Sequence, residues 1–299
     1  MSNTPNPPSL DIPARRDDEQ LTARRLLRAI KTSKGLIGLI LVVSFTLTAI
    51  LAPLFIPQNL STMINIKARH APPSFAHPMG TDNLGREISY RVLLGAQSSL
   101  LIAVSAVSLS LLVGLPLGIL AGHFKGWIDL ALMRVVDTLL SFPVLLLALA
   151  ISAILGPNLR NTIIAIGFAF APYLARIVRS EALKVSNLPY VEAARSTGAS
   201  HMRVIMRHIL PNIMGPVIVQ ATISVAFAIL AEAGLSFLGL GTQPPTPSWG
   251  LMIQTSRSYL DAAPWTALVP GMAIALSVLG LNMLGDVLRD VLDPTYTYH

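Results

Sequence analysis

The 299-residue chain has no cysteine, which excludes disulfides, thiolate metal sites and cysteine nucleophiles. Charge is scarce. Only 12% of residues are Asp, Glu, Lys or Arg, against about 25% in a typical soluble domain. No G-x-x-x-x-G-K-[ST] stretch occurs, so the usual phosphate-cradling loop is missing. Any ATP chemistry therefore has to come from another polypeptide. No His/Cys/carboxylate cluster has metal-ligand spacing, and His70 and His77 stand too far apart to define a site. No nucleophile elbow or intramembrane catalytic motif is present. The basic residues are dispersed between apolar runs rather than interleaved with aromatics, which argues against a nucleic-acid partner.

Apolar residues are plentiful. They make up 53% of the chain, and the mean hydropathy is +0.62. Runs long enough to cross a bilayer, about 20 residues, recur at 36–56, 98–122, 129–155, 162–180, 212–240 and 266–288. They predict an all-α membrane protein with six transmembrane helices. The first run starts at Leu36, too deep in the chain and too long for a cleaved signal peptide, so it reads as a retained span. Residues 1–20, with Pro5, Pro7, Pro8 and Pro13, read as disordered. Residues 21–34 carry Arg24, Arg25, Arg28, Lys31 and Lys34 between Leu21, Leu26, Leu27 and Ile30. They read as a basic amphipathic helix on an anionic bilayer face or as a solvated lead-in to the span.

The net charge of +7 is unevenly spread. With both termini inside, only Lys67, Arg69, Arg86, Arg91, Arg160 and Arg257 of the 22 basic residues fall outside. The positive-inside rule then predicts an N-in, C-in topology. The corresponding division is a cytoplasmic tail (1–34), a first span with an extracytoplasmic segment (35–97), a five-span core (98–290) and a second tail (291–299). Pro116, Pro143, Pro172, Pro216 and Pro270 lie in or beside spans, where neighbouring helices can satisfy the freed carbonyls. Gly114 and Gly118 have the spacing that permits close helix approach.

Charges near spans are costly and need partners. Asp129, Arg134 and Asp137 suggest an intrahelical or inter-subunit network at the inside end of the third span, and Asp286 and Asp290 suggest pairing with Arg289 and basic inside loops. Glu232 is the most isolated. It could line a translocation path, or it could be a carboxyl hydrogen-bonded to a neighbouring helix. Outside, Asp82 could cap a helix starting at Asn83 and pair with Arg86.

The inside segment 181–211 is long enough to fold. Pro189 and Pro211 bracket a helix, Gly198 and a second helix, and Gly198 suits a left-handed helix end. Val191, Ala194, Met202, Ile205 and Met206 can form one apolar face, giving an amphipathic pair able to dock on a soluble partner.

Glu192-Ala193-Ala194, Gly198 and Leu210-Pro211 resemble the EAA loop of permease subunits of binding-protein-dependent ABC importers. His208 stands where the general pattern has Ile. Gly80-Thr81-Asp82 with Gly85-Arg86-Glu87 and Ser89 is similar to the GTDxxGRDxxSR segment of the C-type permeases of dipeptide, oligopeptide and nickel systems. Glu87 replaces the usual Asp, and Tyr90 separates Ser89 from Arg91. Leu235–Gly241, PPTPSWG at 244–250 and the tail Gly285-Asp286, Leu288-Arg289-Asp290, Leu292-Asp293-Pro294 fit as well, except that Val287 stands where Gly is common. The resemblance covers about residues 25–294.

It implies a type I ABC importer permease fold in a bacterial inner membrane. The EAA residues Glu192, Ala193, Ala194, Gly198, Leu210 and Pro211 would form coupling helices seated in a cleft of the ATPase. The implied partners are a second homologous permease, two ATPase subunits that bind ATP and magnesium, an extracytoplasmic substrate-binding protein and the lipid bilayer. This chain itself would carry no cofactor and catalyse no reaction. The implied cargo is a dipeptide or oligopeptide. Nickel or another small solute of the same branch is the alternative, as is ion-coupled secondary transport, for which there is no convincing repeat and only Glu232 near the midplane.

Overall fold

The computed structural model describes residues 29–292. The expected amphipathic helix at 21–34 and the tail beyond Leu292 therefore lie largely or wholly outside the described residues. The described chain is built from helices: α1 (Ser33–Phe55), the short α2 (Gln58–Thr62), α3 (Ile88–Phe124), α4 (Gly126–Leu140), α5 (Val144–Leu155), α6 (Leu159–Ser186), α7 (Pro189–Ser196), α8 (His201–Val204), α9 (Leu210–Phe237), α10 (Trp249–Ser256) and α11 (Trp265–Leu292). A π-helical turn at Ile205–Ile209 joins α8 to α9. Five helical stretches are long and apolar enough to cross a membrane: α1, α3, α6, the α8–α9 run and α11.

Two expectations about the spans change. The run at 129–155 is not one straight helix but α4 and α5, bent by 87°. Pro143 has no N–H to donate and disfavours helical geometry at Phe142. The α4 end closes instead through Ser141 N–H to Asp137 O (3.0 Å) and Phe142 N–H to Leu139 O (3.3 Å). The second span begins ten residues earlier than its apolar run, at Ile88 rather than 98. The reason is Arg91, whose charge interrupts the apolar pattern but is buried. Its Nη1 donates to Ser61 O at 3.2 Å, and its Nε lies 3.7 Å from Asp82 Oδ2.

Asp82 itself caps a tight turn, not a helix at Asn83. Its Oδ1 accepts from Leu84 N–H (2.8 Å) and Arg86 N–H (2.9 Å), and Oδ2 accepts from Arg86 Nε (2.7 Å). Thr81 and Ala71 pair across the base of this hairpin. His77 Nδ1 and Glu87 Oε1 are hydrogen-bonded, and the His70 ring packs at a tilt against Tyr259.

The bundle is centred on α3 crossing α6. Gly114, Gly118 and Gly122 line the contact, and a Cβ on Gly118 would stand 2.5 Å from Ala175 O and 2.6 Å from Val178 Cβ. The closest approach of the two backbones therefore requires glycine. Ile88, Ile102, Ile166, Ile229 and Leu235 fill the core between α3, α6 and α9. Gly38 faces Met283 and Gly280 faces Leu41, which packs α1 antiparallel to α11. Leu36, Ile40, Leu47 and Ile50 of α1 and Leu268, Met272 and Leu276 of α11 stay exposed, as acyl-chain contact requires. The starts of α1 and α4, the ends of α3, α6 and α11, and the 187–209 segment share one end of the bundle. The Thr81 hairpin, α10 and the start of α11 share the other.

Candidate functional site

The 187–209 segment is folded and has two faces. Val191, Val204 and Ile209 are fully buried against Leu174, Val178, Ala182 and Val185 of α6 and Ile213 of α9. The opposite face leaves Leu188, Tyr190, Met202 and Met206 exposed, beside exposed Glu192 and Ala193. The single apolar face expected from the sequence is thus split, with Val191 turned inward and Met202 and Met206 outward. Ala194 is half-buried, Leu210 is half-buried and Pro211 is exposed. Gly198 has φ +83°, the left-handed conformation anticipated for it. Gly198 N–H donates to Arg195 O (2.9 Å) and Ala199 N–H to Ala194 O (3.0 Å), a Schellman closure of α7. The Ser200 side chain then accepts from Arg203 N–H and starts α8. Glu192, Ala193, Ala194 and Gly198 are brought into one turn-linked surface, while Leu210 and Pro211 begin the long helix behind it.

A cleft of about 1180 Å³ opens between α6 and α9 at the same end. One stripe of α9, including Gln220, Ser224 and Phe227, faces Tyr173, Glu181 and Lys184 of α6, with Pro143 at one margin and Arg289 at the other. Gln220 Nε2 donates to Ser224 Oγ at 3.4 Å. An amide and a hydroxyl on an otherwise apolar span are poor lipid contacts, and this was the sequence signal for the cleft.

Glu232 is fully buried. Its neighbours Leu230 and Ala231 line the cleft, and it does not. Ser236 Oγ donates to its Oε1 at 2.7 Å, and the hydroxyls of Thr242 and Ser248 face the same carboxyl. Asp129 and Asp137 join α4 to α6 rather than pairing along their own helix. Arg179 grips Asp129 through Nε and Nη2, each at 2.5 Å, and Arg176 pairs with Asp137. Among the described residues Arg134, Asp286, Arg289 and Asp290 enter no ion pair, so the pairing expected at the end of α11 is not found.

Residues 114–298 match the family model described as binding-protein-dependent transport system inner membrane component. The chain belongs to this family. It is a multi-pass inner-membrane permease component, and the family works with an ATPase and a substrate-binding protein. The chain is 44% identical over 282 residues to the dipeptide transport system permease protein DppC of Alkalihalophilus pseudofirmus, covering 93% of this chain and 92% of that one. It is 40% identical over 272 residues to the glutathione transport system permease protein GsiD of Pectobacterium atrosepticum, covering 91% and 89%. The fold is similar to that of an inward-facing MetNI methionine ABC transporter, with TM-score 0.57 and 19% identity over 68% of this chain and 96% of the other.

Proposed function

We propose that the chain is one of two permease subunits of an ATP-driven peptide importer, with both termini and the 187–209 segment in the cytoplasm. The observation that carries the mechanism is the outward face of α7 and α8. Leu188, Tyr190, Met202 and Met206 are exposed on a segment whose own fold is already secured by Val191, Val204 and Ile209. Exposed apolar groups on a rigid turn form a docking surface rather than a core, and an ATPase subunit is the partner this family requires there. Glu192, Ala193 and Ala194 lie within that surface, and Gly198 sets its bend. ATP and magnesium bind the ATPase pair. Its closure moves the two permeases between inward- and outward-open states, and an extracytoplasmic binding protein delivers the peptide.

The α6–α9 cleft is this chain's share of the path. Gln220, Ser224 and Tyr173 offer hydrogen bonds to a peptide backbone, and Phe170 and Phe227 offer apolar walls. Glu232 stands behind that wall and holds Ser236 of its own helix, whose hydroxyl accepts from Thr242 N–H in the turn before α10. The test is reconstitution in proteoliposomes with the companion subunits. ATP-dependent dipeptide uptake is expected without an ion gradient. Met202→Asp and Met206→Asp should release the ATPase, because an unpaired charge buried at an interface costs about 3–5 kcal/mol. Normal ATPase retention in both variants, or uptake driven by an ion gradient alone, would overturn this reading.

A further inference from the structure

One buried cluster on the α7–α8 side belongs neither to the docking face nor to the cleft. His123, the penultimate residue of α3, is only 4% exposed. The Arg195 guanidinium of α7 approaches its Nδ1 at 3.2 Å, and its Nε2 lies 3.0 Å from Nδ1 of His201 on α8. The rings of His123 and His201 meet edge-on, with centroids 5.2 Å apart, and Phe124 packs against both. One imidazole at the end of α3 therefore touches both helices that flank the Gly198 turn.

The chemistry fixes the direction of this contact. Arginine can only donate, so Nδ1 of His123 accepts and its proton resides on Nε2. That proton is donated to Nδ1 of His201. We propose that His123 is a positioning residue that holds α7 and α8 against α3 through this directed relay, and that the relay exists only while the imidazole is neutral. A proton on Nδ1 would point a donor at a donor and place a third cation beside Arg195 and Lys125. Lys125 donates to Asn187 Oδ1 at 2.6 Å and brings no acceptor. Among the described residues Arg195 and His201 enter no ion pair with a carboxylate, and Nε of Arg195 is buried without a partner. Nothing in the cluster compensates an added charge: burial, Arg195, His201 and Lys125 lower the His123 imidazole to about 4, so the coupling segment should lose its hold progressively as the pH falls from the ordinary imidazole value of about 6.5 toward 4.

The test begins with the full chain alone in nanodiscs, so its outcome does not depend on the transport reading. Because the chain has no cysteine, Ser196→Cys on exposed α7 takes a single nitroxide label. The label should be immobile at pH 7.5 and become mobile at pH 4. With His123→Leu it should be mobile at both. His123→Gln restores the pattern, since its amide oxygen accepts from Arg195 and its amide nitrogen donates to His201, and the label should again be immobile at pH 7.5. In the assembled complex, peptide-stimulated ATP hydrolysis should fall about fivefold or more with His123→Leu and recover with His123→Gln. A label equally immobile in wild type and His123→Leu at pH 7.5, or no recovery of immobility with His123→Gln, would overturn the relay. Absence of peptide-stimulated hydrolysis in the wild-type complex, with the label behaving as described, would instead count against the transport reading.

Discussion

Replacing Gly198 separates backbone strain from every other effect at the α7–α8 surface. A Cβ built on this residue meets nothing within 4 Å, so no substitution there is opposed by a clash. The whole cost comes from φ +83°. A left-handed backbone costs an L-residue about 1–2 kcal/mol, asparagine tolerates it best, and a β-branched residue tolerates it worst. The Gly198 and Ala199 N–H bonds to Arg195 and Ala194 depend on that φ, so relieving the strain means giving up the Schellman closure and the angle between α7 and α8. A strain of that size lowers the population of the native turn by a factor of roughly 5 to 30. ATPase affinity can weaken by no more than that factor if the turn is needed for docking. Titration of the ATPase onto nanodisc-embedded permease should rank Gly198→Asn above Gly198→Ala above Gly198→Val, with unchanged thermal stability of the membrane bundle. Equal affinities for all three would refute the dependence on φ. A loss of bundle stability in Gly198→Ala would show that the space around it is not empty.

Gly118→Ala gives the opposite signature. Its Cβ would collide with the α6 backbone, and overpacking of about 1–3 kcal/mol should lower the melting temperature of the bundle itself. Cysteines at Ser200 and Thr246, both exposed, should label from opposite faces of intact cells, and labelling from the same face would remove the proposed orientation. Glu232→Gln should transport close to wild type, because an acceptor for Ser236 is kept. Glu232→Leu strands the hydroxyl of Ser236, which loses its acceptor, and should cost about 1–3 kcal/mol in unfolding measurements. Gln220→Cys should react with a water-soluble thiol reagent from the cytoplasmic side and be protected by peptide, while Ile40→Cys on the exposed face of α1 should not react. Equal reactivity would place the cleft outside the path.

The membrane-crossing helices were legible because burial in lipid demands long apolar runs, and the turn at Gly198 because a glycine between two helical stretches suits a left-handed helix end. The ends of the helices were less so. Arg91 ends an apolar run on paper yet sits inside α3, since Ser61 O and Asp82, thirty and nine residues upstream, neutralise its cost. Pro143 could be seen, but whether a proline bends a span or stops it depends on what receives the freed carbonyls. The two faces of the 187–209 segment were hidden for a different reason. Met202 and Val191 belong to one apolar set by composition, and only the left-handed turn at Gly198 decides which of them points away from α6. Gln220 and Ser224 were visible as polar residues in a span. Their grouping with Tyr173 and Lys184 needed the α6–α9 crossing.

The unbroken length of α3 sets a mechanical limit on this protein. Its 37 residues make a rod of about 55 Å at about 1.5 Å per residue, well beyond a hydrocarbon core of about 30 Å. One end holds His123 and the other follows directly from the Asp82 hairpin. A hydrogen-bonded helix does not telescope, so a displacement at one end must arrive at the other as tilt or rotation, not as a change in span. Pro116 is the one place along the rod where an N–H is missing, and the bonds there are the easiest to flex. Whatever moves at the α7–α8 surface is therefore sensed at the far hairpin as an angle, with Pro116 as the joint that divides a long stiff arm on the hairpin side from a short one on the His123 side.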